Sequence, residues 1–156
     1  MIEVKRIALD DTTDEAIESL VRSINNAAWD EANGMTPYDP GALKAYLERA
    51  DTVFMACHAV HDGQRTFMGM ASARLEMKPY DHELWLYVDE VDVCADQRQK
   101  GAGKAIMQAL LDWAEDNDCE ELWLGTEVDN DAANALYRSL DPDDEDQVVG
   151  YTWETD

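Results

Sequence analysis

Seven consecutive residues in the second half of the chain combine glycine with positive charge in a pattern that suits an anion. The segment reads Arg98-Gln99-Lys100-Gly101-Ala102-Gly103-Lys104 and lies between a predicted strand and a predicted helix. Glycine lets the backbone approach a ligand closely, and the first amides of a helix have no partner within it. The segment therefore predicts a site for a phosphate or pyrophosphate group.

The placement of charge supports this interpretation. The chain has only 12 Lys and Arg residues, and Arg98, Lys100 and Lys104 all fall in this short segment. The macrodipole disfavours cations at a helix N-terminus unless an anion is bound there. The spacing differs from a P-loop and from the full dinucleotide fingerprint. The alternative is a tight turn in which the basic residues occur by chance.

Two motifs together resemble those of the GNAT superfamily of N-acetyltransferases. Arg98-x-x-Gly101-x-Gly103 is similar to the family's Arg/Gln-x-x-Gly-x-Gly/Ala motif, and Asn130-x-x-Ala133-x-x-Leu136-Tyr137 is similar to its Asn-x-x-Ala-x-x-Leu-Tyr signature. They occur in the family's order, about 30 residues apart. The resemblance is strong over residues 83–140 and rests on element order before that.

The resemblance implies acetyl-CoA as co-substrate and assigns residues to its parts. The backbone of residues 91–93 would pair with the pantetheine arm, residues 99–104 would wrap the pyrophosphate, and Asn130 would hydrogen-bond near the pantetheine. Tyr137 would face the sulfur. The full set of residues implied to bind acetyl-CoA is Val91, Val93, Arg98, Gln99, Lys100, Gly101, Ala102, Gly103, Lys104 and Asn130.

Acetyl transfer from a thioester to an amine has clear chemical requirements. An alkylamine has a pKa of about 10.4, so its deprotonation at pH 7 costs about 4–5 kcal/mol. A carboxylate can accept that proton, directly or through water. The backbone N–H of Val93 could hold the developing oxyanion, and Tyr137 could protonate the departing thiolate.

The sequence leaves open which carboxylate accepts the proton. Glu90 is the first candidate because it lies on the strand that would place the thioester, and related small-amine acetyltransferases often carry an acid there. Strand alternation puts Asp92 on the face of Glu90 and Asp89 on the opposite face. Glu127, late in the next predicted strand, is a further candidate. For each acid the alternative is a solvated surface carboxylate in an acidic protein.

Other functions remain open at this stage. Leu140 is followed by Asp141 and Pro142 instead of the family's glycine–phenylalanine corner, which favours a non-catalytic CoA-binding module on the same fold. Tyr137 favours the enzyme. A nucleotide-phosphate-binding domain of another family is a weaker alternative. Direct transfer in a ternary complex is preferred over an acyl-cysteine intermediate at Cys94, because no His partner is near it in sequence.

The hydrophobic pattern predicts a mixed α/β fold that would position these residues. The predicted element order is β, α, α, β, β, β, α, β, α, β, with a central, partly parallel sheet flanked by helices. The resemblance implies that acceptor specificity is set by the loop 25–41, which is predicted to include a short helical piece, and by the last strands. Strands are predicted at residues 1–9, 51–60, 65–77, 83–95, 121–128 and 147–154, and helices over 12–24, 42–50, 104–117 and 131–140. Thr12-x-x-Glu15 is a candidate capping box, so Thr12 is the predicted cap of the first helix.

Length and charge narrow the function classes. The 156 residues, 46% hydrophobic and 30% charged, suit a single domain over residues 1–156. A net charge of −23 predicts repulsion from nucleic acid and from anionic membranes. No apolar run approaches the about 20 residues of a membrane span, and the N-terminus lacks the pattern of a signal peptide. These features predict a cytoplasmic protein.

The predicted partners and conditions follow from the same composition. The acceptor would be a small-molecule or peptide amine, no metal is predicted, and the choice between monomer and homodimer stays open. Three sparse cysteines favour reduced thiols over a disulfide framework. Acidic residues spread along the whole chain favour adaptation to high internal salt, which would screen their repulsion. The alternative is an acidic protein in ordinary cytoplasm.

Overall fold

The computed structural model describes residues 1–30 and 35–156, which form two compact units, residues 1–124 and 125–156. Among the described residues, the first unit holds five strands, three α-helices and two short 3-10 helices, Leu9–Asp11 and Ala95–Gln97, and the second holds one α-helix. The strands are β1 Ile2–Arg6, β2 Thr52–His61, β3 Gln64–Met77, β4 Leu84–Val93 and β5 Cys119–Leu124. The helices are α1 Asp14–Asn26, α2 Pro40–Glu48, α3 Ala102–Asp116 and α4 Asp131–Arg138.

The five strands form one mixed sheet in sequence order. Neighbours from β1 to β4 are antiparallel, whereas β4 and β5 are parallel. Two parallel strands need a crossover connection, and α3 supplies it between β4 and β5. The predicted fold class, a mixed and partly parallel sheet flanked by helices, is confirmed.

Helices α1 and α2 cover one face of the sheet. Both begin at a side-chain cap: Thr13 Oγ1 accepts from the Ala16 amide at 3.1 Å, and Asp39 Oδ2 accepts from the Ala42 amide at 3.0 Å. Such caps satisfy amides that the helix leaves unpaired. The cap of α1 is therefore Thr13 rather than the predicted Thr12. The apolar residues at this face are Ile17, Leu20, Val21, Ile24, Leu43, Phe54, Ala56 and Met70.

Helix α3 packs against the sheet and buries its apolar stripe, including Ile106 and Leu110. It begins at Ala102, two residues before the predicted start. The predicted strand 121–128 is observed as Cys119–Leu124, so it ends before Gly125. All three cysteines are free thiols, and two of them, Cys57 and Cys94, are buried.

The predicted last strand at residues 147–154 is wrong. Residues 141–156 contain neither helix nor strand in the structure. Its apolar side chains, Val148, Val149, Tyr151 and Trp153, are exposed. Alternating apolar residues make a stable strand only when a partner strand supplies hydrogen bonds and covers the apolar face, and no such ladder forms here.

The close approach of β3 and β4 at Gly69 allows a first test. A Cβ atom at Gly69 would overlap the carbonyl oxygen of Asp92 and lie 3.2 Å from Val93 Cα. We expect Gly69→Ala to reduce the free energy of unfolding by about 1–3 kcal/mol, because backbone must move to admit the methyl group. Gly150→Ala is the control, since its Cβ would contact nothing within 4 Å. Denaturant unfolding of both variants measures the difference, and equal stabilities would contradict the packing described.

Candidate active site

Strands β4 and β5 separate at their carboxyl ends. Their pairing stops at Val88 and Leu124, whereas β4 continues to Val93. Over that stretch the other edge of β4 stays paired with β3, with Val91 opposite Ala71. The backbone of residues 89–93 is therefore not used by β5. This stretch includes Val91 and Val93, whose backbone the family resemblance predicts to pair with the pantetheine arm.

A β-bulge lies at the start of this separated stretch. In the β3–β4 register Ser72 is opposite Glu90 and Ala73 is opposite Val88, so Asp89 is an extra residue. A bulge breaks the alternation of side chains between the two faces. Asp89 and Glu90 consequently line the same cavity, and Asp89 Oδ1 accepts from Arg74 Nε at 3.4 Å. The prediction that Asp89 points to the opposite face is wrong for this reason.

The cavity beside the bulge has a volume of about 460 Å³. One wall is aromatic and contains Tyr38, Tyr46 and Phe54, while Asp89 and Glu90 supply carboxylates. The Phe54 ring lies 6.4 Å from each tyrosine ring, measured between centroids. A pocket with an aromatic wall and two carboxylates suits the alkyl chain and the charge of an ammonium group.

Both tyrosines are held in place by hydrogen bonds. Asn25 donates from Nδ2 to the Tyr38 carbonyl at 3.0 Å and accepts from the Tyr38 amide at 2.8 Å. The Tyr46 hydroxyl donates to the Ala73 carbonyl at 2.9 Å. Burial raises the pKa of Tyr38 to about 12, and the charges of Glu90 and Asp92 add to this effect. The phenol of Tyr38 therefore stays protonated at neutral pH.

The candidate carboxylates differ in their surroundings. Glu90 lies at the cavity wall, and Asp92 is half-buried on the same strand. Burial, followed by the charge of Glu90 and a hydrogen bond with Glu90, raises the pKa of Asp92 to about 6. Asp92 is thus not a solvated surface acid. Glu127 is exposed and lies beyond the end of β5, so the prediction that it belongs to that strand is wrong.

The start of α3 has the form expected of an anion site. Gly101 precedes the helix with φ 91° in the left-handed region and provides no side-chain cap, so the first amides of α3 have no side-chain acceptor there. Gln99 is also left-handed, with φ 60°. Arg98 forms an ion pair with Asp30, and Lys100 Nζ donates to Gln97 Oε1 at 3.3 Å. The glycines and cations predicted to bind phosphate therefore lie together at one helix N-terminus.

The second unit contains the other predicted motif. Asn130 is the cap of α4, and its Oδ1 accepts from the Ala133 amide at 3.1 Å. Tyr137 is half-buried in the last turn of that helix. Sequence reasoning missed Asn134, which donates from Nδ2 to the carbonyls of Glu127, Val128 and Asn130 at 3.1, 3.2 and 2.9 Å. Asn134 thus fixes the turn that leads into the helix.

The Cys94 thiol is poorly placed to act as a nucleophile. Cys94 is 1% exposed, and burial raises the pKa of its thiol to about 11. At neutral pH it is therefore a thiol, which is a poor nucleophile.

Within residues 1–30 and 35–156 no three His, Cys, Asp or Glu side chains are grouped as metal ligands. No helix in the same ranges combines the length and the apolar character needed to cross a bilayer.

Solved structures with this fold include several acetyltransferases. The aminoglycoside acetyltransferase meta-AAC0020 from an uncultured soil metagenomic sample, in complex with sisomicin, shares 17% identity over 99% of this chain and 97% of its own, with a TM-score of 0.79. The aminoglycoside N-acetyltransferase AAC(6')-Iy in complex with CoA shares 15% over 99% and 96%, with a TM-score of 0.72. A Trypanosoma brucei acetyltransferase shares 16% over 98% and 100%, with a TM-score of 0.70.

Family membership rests on the sequence as well as the fold. No curated protein matches this chain significantly. The family model described as the acetyltransferase (GNAT) family, however, matches residues 19–141, which include both motifs and the cavity-lining residues of β4. The chain therefore belongs to the GNAT family of N-acetyltransferases.

Proposed function

We propose that this chain, as one domain over residues 1–156, transfers an acetyl group from acetyl-CoA to a primary amine bound in the cavity beside β4. Acetyl-CoA, the co-substrate used by GNAT acetyltransferases, supplies an acetyl group activated as a thioester. The observation that carries the proposal is the cavity itself. Asp89 and Glu90 face an aromatic wall next to the separated end of β4, where an ammonium group would be bound and could lose its proton.

The residues around the start of α3 would hold the phosphates of acetyl-CoA. The first amides of the helix, over residues 102–104, provide directional donors, and Lys100 and Lys104 provide charge. Arg98 would exchange its ion pair with Asp30 for a phosphate oxygen. The backbone of Val91 and Val93 would pair with the pantetheine arm, and Asn130 would contact the same region in addition to capping α4.

Each chemical step has a candidate group. Glu90 would accept a proton from the ammonium, which leaves a neutral amine able to attack the thioester carbonyl. The Val93 amide would stabilise the developing oxyanion. Tyr137 would donate a proton to the departing thiolate and regain one from the new amide nitrogen.

The state of Cys94 supports direct transfer between two bound substrates. An acyl-cysteine intermediate needs a thiolate or a base that can generate one. Burial raises the pKa of Cys94 to about 11, with the charge of Asp96 adding to the effect. The proposed mechanism therefore needs the amine and acetyl-CoA to be bound at the same time.

The charge of the cavity favours an acceptor with more than one cationic group. Asp89 and Glu90 line one wall, and Asp39 lines another part of the cavity. Polyamines and amino sugars carry several ammonium groups on compact frames. One similar structure is of an acetyltransferase in complex with sisomicin, which supports including an aminoglycoside among the acceptors tested.

An amine panel tests the proposed function. Purified protein and acetyl-CoA are incubated with spermidine, a lysine peptide, sisomicin and a trimethylammonium analogue of the best acceptor. We expect CoA release together with a monoacetylated product for at least one primary amine, and neither for the quaternary analogue, which has no proton to lose. Failure of every primary amine, with the protein shown to be folded, would contradict the proposal.

We also propose that the protein works at high salt. The chain has 35 acidic and 12 basic residues, so its acidic side chains repel one another. At molar salt the Debye length is about 3 Å, and this repulsion is screened. We expect the free energy of unfolding and the affinity for acetyl-CoA both to rise as KCl increases to molar concentration. Calorimetry under conditions where circular dichroism shows folded protein measures both. If the affinity for acetyl-CoA instead falls steadily as salt increases, the basic residues at the start of α3 outweigh the net negative charge of the chain.

A further inference from the structure

We propose that Asp92 and Glu90 form a carboxyl pair that is ionised before the amine binds, and that the pair takes up the proton lost by the acceptor amine and holds it between the two carboxyl groups. This inference rests on the proposed function and adds Asp92 to it. Glu90 would touch the ammonium at the cavity wall, and Asp92 would act through Glu90 as a positioning residue. The role follows from the place, burial and partners of the two side chains.

The two carboxyl groups lie on the same face of β4. Glu90 is opposite Ser72 and Asp92 is opposite Met70 in the β3–β4 register. Met70 belongs to the apolar layer under α1 and α2, and Ser72 is opposite Phe54 of that layer. Glu90 is exposed at the cavity, whereas Asp92 is half-buried one pleat further along the strand. The pair therefore runs from the cavity wall towards the core.

No cation neutralises this pair in the described part of the chain. Arg74 is bound to Asp89, and Arg98 is bound to Asp30. Within the same residues, Asp92 Oδ2 is buried without a hydrogen-bond partner. Among the described residues no cation neutralises the half-buried Asp92, so burial and the neighbouring charge of Glu90 both disfavour its ionised form, and uptake of one proton by the pair is favoured. Asp89 differs from this pair because Arg74 forms an ion pair with it.

The acidity of Asp92 agrees with this geometry. Its pKa is raised from 3.8 to about 6, chiefly by burial and then by Glu90. A carboxyl group with that pKa binds a proton about 100 times more tightly than an ordinary aspartate. Near neutral pH the pair can therefore be ionised before the amine binds and protonated after it, which suits a general base.

The proton balance of the step is complete. The substrate ammonium loses one proton, the pair gains it, and its charge changes from −2 to −1 while the amine becomes neutral. Of the two protons left on the nitrogen, one stays in the amide; the other leaves after the new C–N bond has formed and replaces the proton that Tyr137 gives to the departing thiolate. The pair then releases its proton to solvent. No oxidant or metal is needed.

The groups that face the pair do not provide another base. Tyr38, from the segment before α2, has a pKa raised to about 12, and Tyr46 of α2 has a pKa raised to about 12 mainly by burial. Asp39 at the cap of α2 is engaged by the Ala42 amide. Asp89 on β4 is bound to Arg74 of β3. Asp92 and Glu90 are therefore the acids that remain next to each other.

The test is the pH dependence of kcat/KM with the best amine at constant salt, for wild type, Asp92→Asn and Asp112→Asn. For Asp92→Asn we expect a 10- to 100-fold loss at pH 7.5 and an acidic limb displaced to lower pH, because the substitution removes the half-buried carboxyl group whose raised pKa favours uptake of the proton. Asp112→Asn removes the same charge from α3, where Asp112 is bound by Gln108, and should keep the wild-type limb. An unchanged limb in Asp92→Asn would overturn the inference.

A carboxyl titration that needs no activity separates the pair from the proposed function. Carbon-13 NMR of the free protein should show Asp92 titrating near pH 6 in the wild type and at lower pH in Glu90→Gln. If Asp92 titrates at the same pH in both proteins, whether near 4 or near 6, the two carboxyl groups are not coupled and the pair does not exist, whatever amine is acetylated. If the coupled titration is found and yet no amine is acetylated, the pair stands and the proposed function fails.

Discussion

A Gly101→Val variant is expected to lose the thermal stabilisation that acetyl-CoA gives the wild-type protein. Gly101 has φ 91°, a conformation that a β-branched residue adopts only with strain. Valine would therefore shift the backbone that leads into α3 and misplace the amides proposed to hold the phosphates. Binding to the native state raises its stability by about 2.7 kcal/mol at a ligand concentration 100 times Kd, so the loss is large enough to see in a melting curve.

The matched control places valine at Gly63, a second glycine with a positive φ. Gly63 has φ 77°, and a Cβ atom there would contact nothing within 4 Å. Gly63→Val should lower the melting temperature of the protein alone but keep the full shift on addition of acetyl-CoA. Differential scanning fluorimetry in high KCl compares the three proteins. A wild-type-sized shift in Gly101→Val would show that this helix start does not bind the co-substrate.

Tyr137→Phe is expected to lower kcat by about 100-fold or more, with little change in KM for acetyl-CoA. The substitution keeps the ring and removes only the hydroxyl that is proposed to protonate the thiolate, and general acid catalysis contributes about 10²–10⁴-fold. A loss in kcat with unchanged KM indicates a group that acts in the transition state rather than in binding. Steady-state kinetics of CoA release measures both constants.

Tyr151→Phe is the matched control for this substitution. Tyr151 lies in the same unit, residues 125–156, and is exposed. Removing its hydroxyl should leave kcat and KM near the wild-type values. If single-turnover experiments show that chemistry limits the rate and Tyr137→Phe still matches wild type, then Tyr137 is not the general acid.

Much of the fold could be predicted because most of its helices and strands are marked by residue patterns within the element itself. The glycines and cations before α3 mark a helix start, and the apolar spacing in α1 and α3 marks the faces that pack on the sheet. The strands β2 to β4 are apolar and bounded by turns, so their existence is clear from the sequence. Errors in the position of a helix start are small, such as the cap of α1 at Thr13 instead of Thr12. The larger error is the predicted strand at residues 147–154, whose alternating apolar residues have no partner strand among the residues that the structure describes.

The site depended on information that no local pattern contains. Alternation along β4 cannot reveal that Asp89 is an extra residue, because the bulge exists only relative to β3. The aromatic wall joins Tyr38, Tyr46 and Phe54, which are separated along the chain and meet only once α2 packs on the sheet. Of the loop 25–41 expected to set acceptor specificity, residues 31–34 lie outside the described residues.

The central claim is that acetyl-CoA and an amine react directly while both are bound. Initial rates of CoA release, measured with the best amine at several fixed concentrations of acetyl-CoA and with an amine-free control, test it most directly. The account predicts intersecting double-reciprocal lines, no release without amine, and one acetylated amine per CoA. Parallel lines with an acetyl group trapped on Cys94, or release that is independent of the amine, would contradict it.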